Sequence, residues 1–129
     1  MIRAGLLLLA ACAAPVANQI VVADALAWHA GPAGIRSADV WGDAGRGAHG
    51  TLARLPADLL EPPHHHSHAF RVLVLAGTMT YSIAGRVTPA LTAGSYVVIA
   101  AGTPHFAHCL SGAACEVYIE QDGAFDVEP

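Results

Sequence analysis

From residue 35 to residue 121 apolar and polar side chains alternate in short runs, separated by turns that contain glycine or proline. FRVLVLAG is the plainest run. Phe70, Val72 and Val74 fall on one face of an extended chain and Arg71, Leu73 and Leu75 on the other, because successive side chains of a strand point to opposite sides. The same alternation predicts strands in IRSADVWG and GAHGTLARL, joined by the turn GDAGRG, and later in TMTYSI, SYVVIAA, HFAHCL and CEVYIEQ, with a short strand around TPAL. Leu59 to His66 reads as an edge strand at most, since Pro62 and Pro63 withhold two donors from a ladder. The lead-in NQIVVADALAWHAGPAG reads as a strand or arm laid against the rest, and DGAFDVEP as a short tail. Strands at intervals of about eight to twelve residues, with no sustained helical period beyond the N-terminus, predict an all-β fold, a single small jelly-roll β-barrel over residues 18–129.

Residues 1–17 follow a different pattern. MIRAGLLLLAACAAPVA has a positive start at Arg3, an apolar run from Leu6 to Ala11 and small residues after it, the arrangement of an export signal. LAAC, ending at Cys12, looks like a lipobox, in which Cys12 would be lipidated and anchor the protein to a membrane; cleavage after Ala14 or Ala17 would instead release a soluble periplasmic or secreted protein.

Composition narrows the partners. The 129 residues include no lysine and only six arginines, for a net charge of -4, so no basic face exists to neutralise a phosphate backbone and nucleic acid is not an expected partner. A small-molecule ligand and a homodimer remain expected partners. With Cys12 set aside, Cys109 and Cys115 form an even pair. If LSGAA makes a hairpin loop, the two face each other across an antiparallel pair and form a disulfide in an oxidising compartment. Two buried free thiols, or a Cys109 thiolate near a metal, are the alternatives.

The chemistry concentrates in EPPHHHSHAF. On a strand, His64 and His66 aim at one face and His65 at the other. His105, at the start of a strand after the turn GTP, is the candidate third ligand. Three neutral imidazoles leave coordination positions open on a divalent metal, as catalytic sites do. His68 is a candidate additional ligand, Glu61 stands close to the rim, and His49 in GAHG is either a packed strand residue or a proton carrier, the candidate catalytic group. Phe70, Val72 and Phe106 are the expected apolar lining of the cavity, or its filling.

These segments resemble the two motifs of the cupin superfamily, small jelly-roll barrels that usually hold one metal. His64, His66 and Gly77 keep the register of the first motif, with Asp58 where its leading glycine is expected and Phe70 where its glutamate is; Gly94, Gly102 and His105 keep the second, with Ala100 in place of a proline and Cys109 of an asparagine. WGDAGRGAHG, HHHSHAF and PHFAHC are further similar to a branch of short bacterial cupins of unknown function. The resemblance implies the fold and a metal at His64, His66 and His105 but no reaction, because cupins include enzymes, binding proteins and sensors. An all-histidine face leaves the charge of the metal (Zn, Fe, Cu, Ni or Mn) uncompensated, which favours an anionic or enolisable small molecule. Three functions follow as expectations: an exported metal-dependent enzyme, a non-catalytic metal- or ligand-binding envelope protein, or a purely structural cupin without metal.

Overall fold

The computed structural model describes residues 16–110 and 112–129; the expected signal over residues 1–17 and lipidation at Cys12 fall in or mostly in the segment outside them. Among the described residues nine strands follow in order: β1 (His29–Ala30), β2 (Arg36–Gly42), β3 (His49–Leu55), β4 (Phe70–Ala76), β5 (Met79–Ile83), β6 (Arg86–Val87), β7 (Tyr96–Ile99), β8 (His105–Cys109) and β9 (Cys115–Gln121). They form two antiparallel sheets, one ordered β1-β2-β3-β9-β4-β7 and the other β6-β5-β8. The inner faces meet in one apolar core, to which β4 gives Phe70, Val72 and Val74, β5 gives Met79 and Tyr81, and β9 gives Val117 and Ile119. The alternation seen in the sequence is thus the alternation between core and solvent.

Cross-strand registers give the barrel two distinct ends. His49 lies opposite Gln121, Phe70 opposite Ile99 and His105 opposite Ile83, and the Phe70 and His105 rings, 5.8 Å apart, put these pairs at one end. Leu55 lies opposite Cys115 and Met79 opposite Cys109 at the other. There Cys109 and Cys115 are joined in a disulfide with a Cα separation of 5.9 Å. The expected hairpin is not what brings them together: β8 pairs with β5 in the small sheet and β9 with β3 and β4 in the large one, so the disulfide staples sheet to sheet. It also removes Cys109 from the candidate ligands. Gly77 sits against this staple with φ +79°, where an added Cβ would lie 2.7 Å from the Ala114 carbonyl oxygen and 2.9 Å from Cys115 Sγ.

Two expected strands are corrected. The segment 59–66 forms only isolated bridges, Leu60 with His108, His64 with His105 and His65 with Glu128, because prolines 62 and 63 cannot extend a ladder. The strand expected around TPAL is β6 at Arg86–Val87; Thr88 then spends its hydroxyl on the Tyr81 N–H, and Leu91 keeps one bridge to Met79. The lead-in is a mostly exposed arm that holds a turn of 3₁₀ helix at Ala23–Ala25, the short strand β1 and a second 3₁₀ turn at Pro32–Gly34; Gln19 Nε2 donates to the Val40 carbonyl and Trp28 stacks on Arg54.

Candidate metal centre and cavity

His64 and His66 lie on the loop that crosses the start of β8. His64 and His105 exchange two backbone hydrogen bonds of 2.9 and 2.8 Å, and the Gly102 N–H donates to the His66 carbonyl, so three separate chain contacts fix the loop to the turn before β8. The three imidazole centroids are 4.6, 4.9 and 5.0 Å apart.

Each ring is oriented by a carbonyl. His64 Nδ1 lies 2.9 Å from the Pro62 oxygen, His105 Nδ1 2.9 Å from that of Thr103 and His66 Nδ1 2.5 Å from that of Asp126. A carbonyl only accepts, so each Nδ1 carries the proton and each neutral ring keeps its lone pair on Nε2. One ring nitrogen from each histidine falls in a group whose members lie within 4.8 Å of one another; bonds of about 2.1 Å to one shared ion set such nitrogens roughly 3–3.5 Å apart, so the rings would draw inward on binding. His66 Nε2 and His105 Nε2 are buried with no hydrogen-bond partner. A buried polar atom left alone costs about 1–3 kcal/mol, and a metal ion is the partner that would satisfy both. The donor set therefore fits a divalent transition metal.

Electrostatics favour the neutral form of His66 and His105. Burial, helped by the neighbouring His64 and His105, pushes the His66 pKa down to about 4 against the pull of the Asp126 carbonyl. Burial also lowers that of His105, with His64 and His65 as further like charges. Neutral imidazole is the form that binds metal.

A cavity of about 420 Å³ opens beside the triad, with His64, His66, Phe70 and His49 on its wall. The Phe70 ring stacks on His66 at 4.6 Å, so an aromatic face stands where a carboxylate was expected from the motif. The other two expected lining residues do not reach the cavity: Val72 is wholly buried in the core between the sheets, and Phe106 points to the opposite face of β8 from His105. His68 is not in the metal-ligating group. Ser67 donates two hydrogen bonds, from its N–H and its hydroxyl, to the Asp126 carboxylate, the chain turns, and the exposed His68 ring packs on Gly123. His65 faces away, its Nε2 3.1 Å from a Glu128 oxygen. His49 is buried, with Nδ1 bonded to the Gly47 carbonyl.

Two contributors were not singled out from the sequence as site-building. The C-terminal segment closes over the triad, with Phe125 5.3 Å from the His66 ring, Val127 on the cavity wall and Asp126 supplying the carbonyl that orients His66. The spacing of Phe125 and Val127 in an otherwise polar tail was the available signal. Tyr81 also lines the cavity, beside Glu61. Glu61 Oε2 accepts the Ala107 N–H at 3.1 Å; burial raises its pKa, while that N–H and His64 pull it back.

Two sheets closed into a jelly roll, with imidazoles from a loop and a strand converging inside one end, define a cupin. Structures of this class align along most of the chain. KdgF from Halomonas sp. superposes with a TM-score of 0.70 at 17% identity, over 82% of this chain and 94% of that one. The polyketide cyclase RemF from Streptomyces resistomycificus gives 0.70 at 19%, over 87% and 84%. A chain of the complex of Rhodobacter sphaeroides SigE with the anti-sigma ChrR gives 0.64 at 21%, over 78% of this chain and 52% of that one. At these identities the likeness is one of fold. A search of curated proteins by sequence found no significant match. Residues 16–124 match the model of the ChrR cupin-like domain, and the chain belongs to that family.

Proposed function

We propose that this is an exported cupin that binds one divalent transition metal through His64, His66 and His105 and acts as a metal-dependent enzyme on a small anionic or enolisable molecule. The observation behind the metal is the pair of buried, partnerless Nε2 atoms turned toward His64. The observation behind an enzyme is the cavity that opens beside them. When bound, the metal supplies a Lewis acid that draws charge from a ligand oxygen.

The chain's own residues supply the rest. The carbonyls of Pro62, Thr103 and Asp126 hold the three rings in the metal-binding tautomer. Phe70 and Phe125 cover the flanks of His66. Glu61, tied down at Oε2 by Ala107 and made less acidic by burial, is placed to take or return a proton at Oε1; His49 on the wall is the second candidate for that role. The family's name favours a second reading, a non-catalytic binding or sensing protein, since the anti-sigma ChrR shares the fold. Turnover of no small acid or enol by the metal-loaded protein would favour it.

Export rests on Arg3, the apolar run Leu6–Ala11 and Cys12. A Cys12→Ser protein should lose its partition into detergent; unchanged partition would remove the lipid anchor from the proposal. Pairing of two copies is a further part, with β7 an open sheet edge bearing the exposed Tyr96 and Val98.

The metal site is tested by single replacements. His64→Ala and His66→Ala should each lower metal affinity at least 100-fold, whereas His65→Ala, which loses only its contact with Glu128, should leave it within about threefold. Equal losses in all three would refute the assignment.

A further inference from the structure

The cavity is polar at one end and apolar along the rest of its length. Strand register orders its wall: His49 and the triad lie at the end that holds Phe70, Thr51 opposite Ile119 comes next, then Ala53 opposite Val117, and Leu55 sits beside the disulfide. Ile35, one residue before the Arg36–Arg54 pair, and Leu59, whose carbonyl accepts the Cys109 N–H, add side chains at that same far end. From Thr51 to Leu55 this apolar stretch runs about 13 Å along β3.

Charge is just as unevenly distributed. Among the described residues no arginine, lysine, asparagine or glutamine lines the cavity, and its one carboxylate is Glu61. The Thr51 hydroxyl donates to Asp39 Oδ1 at 2.7 Å, which leaves Ser37 and, nearer Glu61, Tyr81 as the other hydroxyls on the wall. A second anionic group on a ligand would meet no cation there. The many hydroxyls of a sugar would be stripped of water with few partners to replace it, at about 1–3 kcal/mol each.

We propose that the ligand is an amphiphilic monoacid: one carboxylate or enol oxygen held at the histidine end, and a hydrocarbon body reaching past Ala53 and Val117 toward Leu55. This rests on the reading of the triad as a metal site and goes beyond it by fixing the class of molecule. Sugar acids, dicarboxylates and phosphorylated metabolites are thereby rejected, although each could offer the metal an oxygen. The selection comes from the wall and not from the ion.

The test first loads the full chain with Co(II) and records uptake from the visible spectrum, then titrates it with butanoate, hexanoate, octanoate, octanedioate and gluconate by calorimetry. Affinity should rise about fourfold per added methylene from butanoate to octanoate, as hydrocarbon leaves water for the wall. Octanedioate and gluconate should bind at least tenfold more weakly than octanoate. Leu59→Trp, on a loop outside the strands, should take up Co(II) as before yet flatten the chain-length series. Uptake of Co(II) followed by equal binding of all five acids, preference for gluconate, or no binding of octanoate would overturn this proposal and leave the metal site standing. Absence of Co(II) uptake would overturn the metal site itself, and the proposal with it.

Discussion

A single carbonyl decides what His66 does. With its Nδ1 proton committed to the Asp126 oxygen, the ring turns a lone pair inward, and burial holds it neutral down to a pKa of about 4. In the unfolded chain an imidazole takes up a proton near pH 6.5. Between those two values the unfolded state binds more protons than the folded one, so stability rises with pH across that window and is lost as pH falls through it. One edge of the ring borders the cavity, so its desolvation is partial and the contribution to stability is roughly 1 kcal/mol, or about 4 °C in Tm. Metal-free protein is predicted to lose about that much between pH 7 and pH 5, and His66→Phe, which keeps a ring stacked on Phe70, to lose less. His105 shifts the same way and adds to the wild-type slope. A thermal scan in which Tm is unchanged or higher at pH 5 would contradict this account.

At the scale of elements, the C-terminal segment and the histidine loop act as one unit. The backbones of His65 and Glu128 exchange hydrogen bonds, Ser67 holds the Asp126 carboxylate, and Asp126 in turn orients His66. Removal of residues 124–129 should therefore weaken metal binding about tenfold in competition with a chelator while the β3-β9-β4 core stays folded. Unchanged affinity would mean that His66 keeps its orientation without the segment. This coupling was not legible in the sequence. The strands were, because burial on one face of a sheet writes a period of two into FRVLVLA and CEVYIEQ, and that period also separated His64 and His66 from His65. Long-range partners leave no such period. The carbonyls that set the three tautomers are backbone atoms, Cys109 and Cys115 meet across two sheets and not across a turn, and Phe125 reaches His66 only after the whole barrel has closed. Val72 and Phe106 misled as cavity lining for a related reason: alternation tells inside from outside, but not a wall from a filled core.

Taken whole, the molecule has one end closed by a disulfide and apolar side chains and another that gathers three imidazoles, a buried carboxyl and an aromatic pair around a cavity. The disulfide and the candidate metal ligands occupy opposite ends of the barrel. The closed end fixes β8 to β9, and β8 begins with His105, so the staple helps hold one ligand in register with the other two. The central claim is that the histidine end holds a single metal ion. It is tested most directly by elemental analysis of the full chain after incubation with a limiting series of Zn(II) and desalting. The account predicts saturation at one equivalent per chain, abolished by His105→Ala; a plateau below a tenth of an equivalent, or one equivalent retained by His105→Ala, would contradict it.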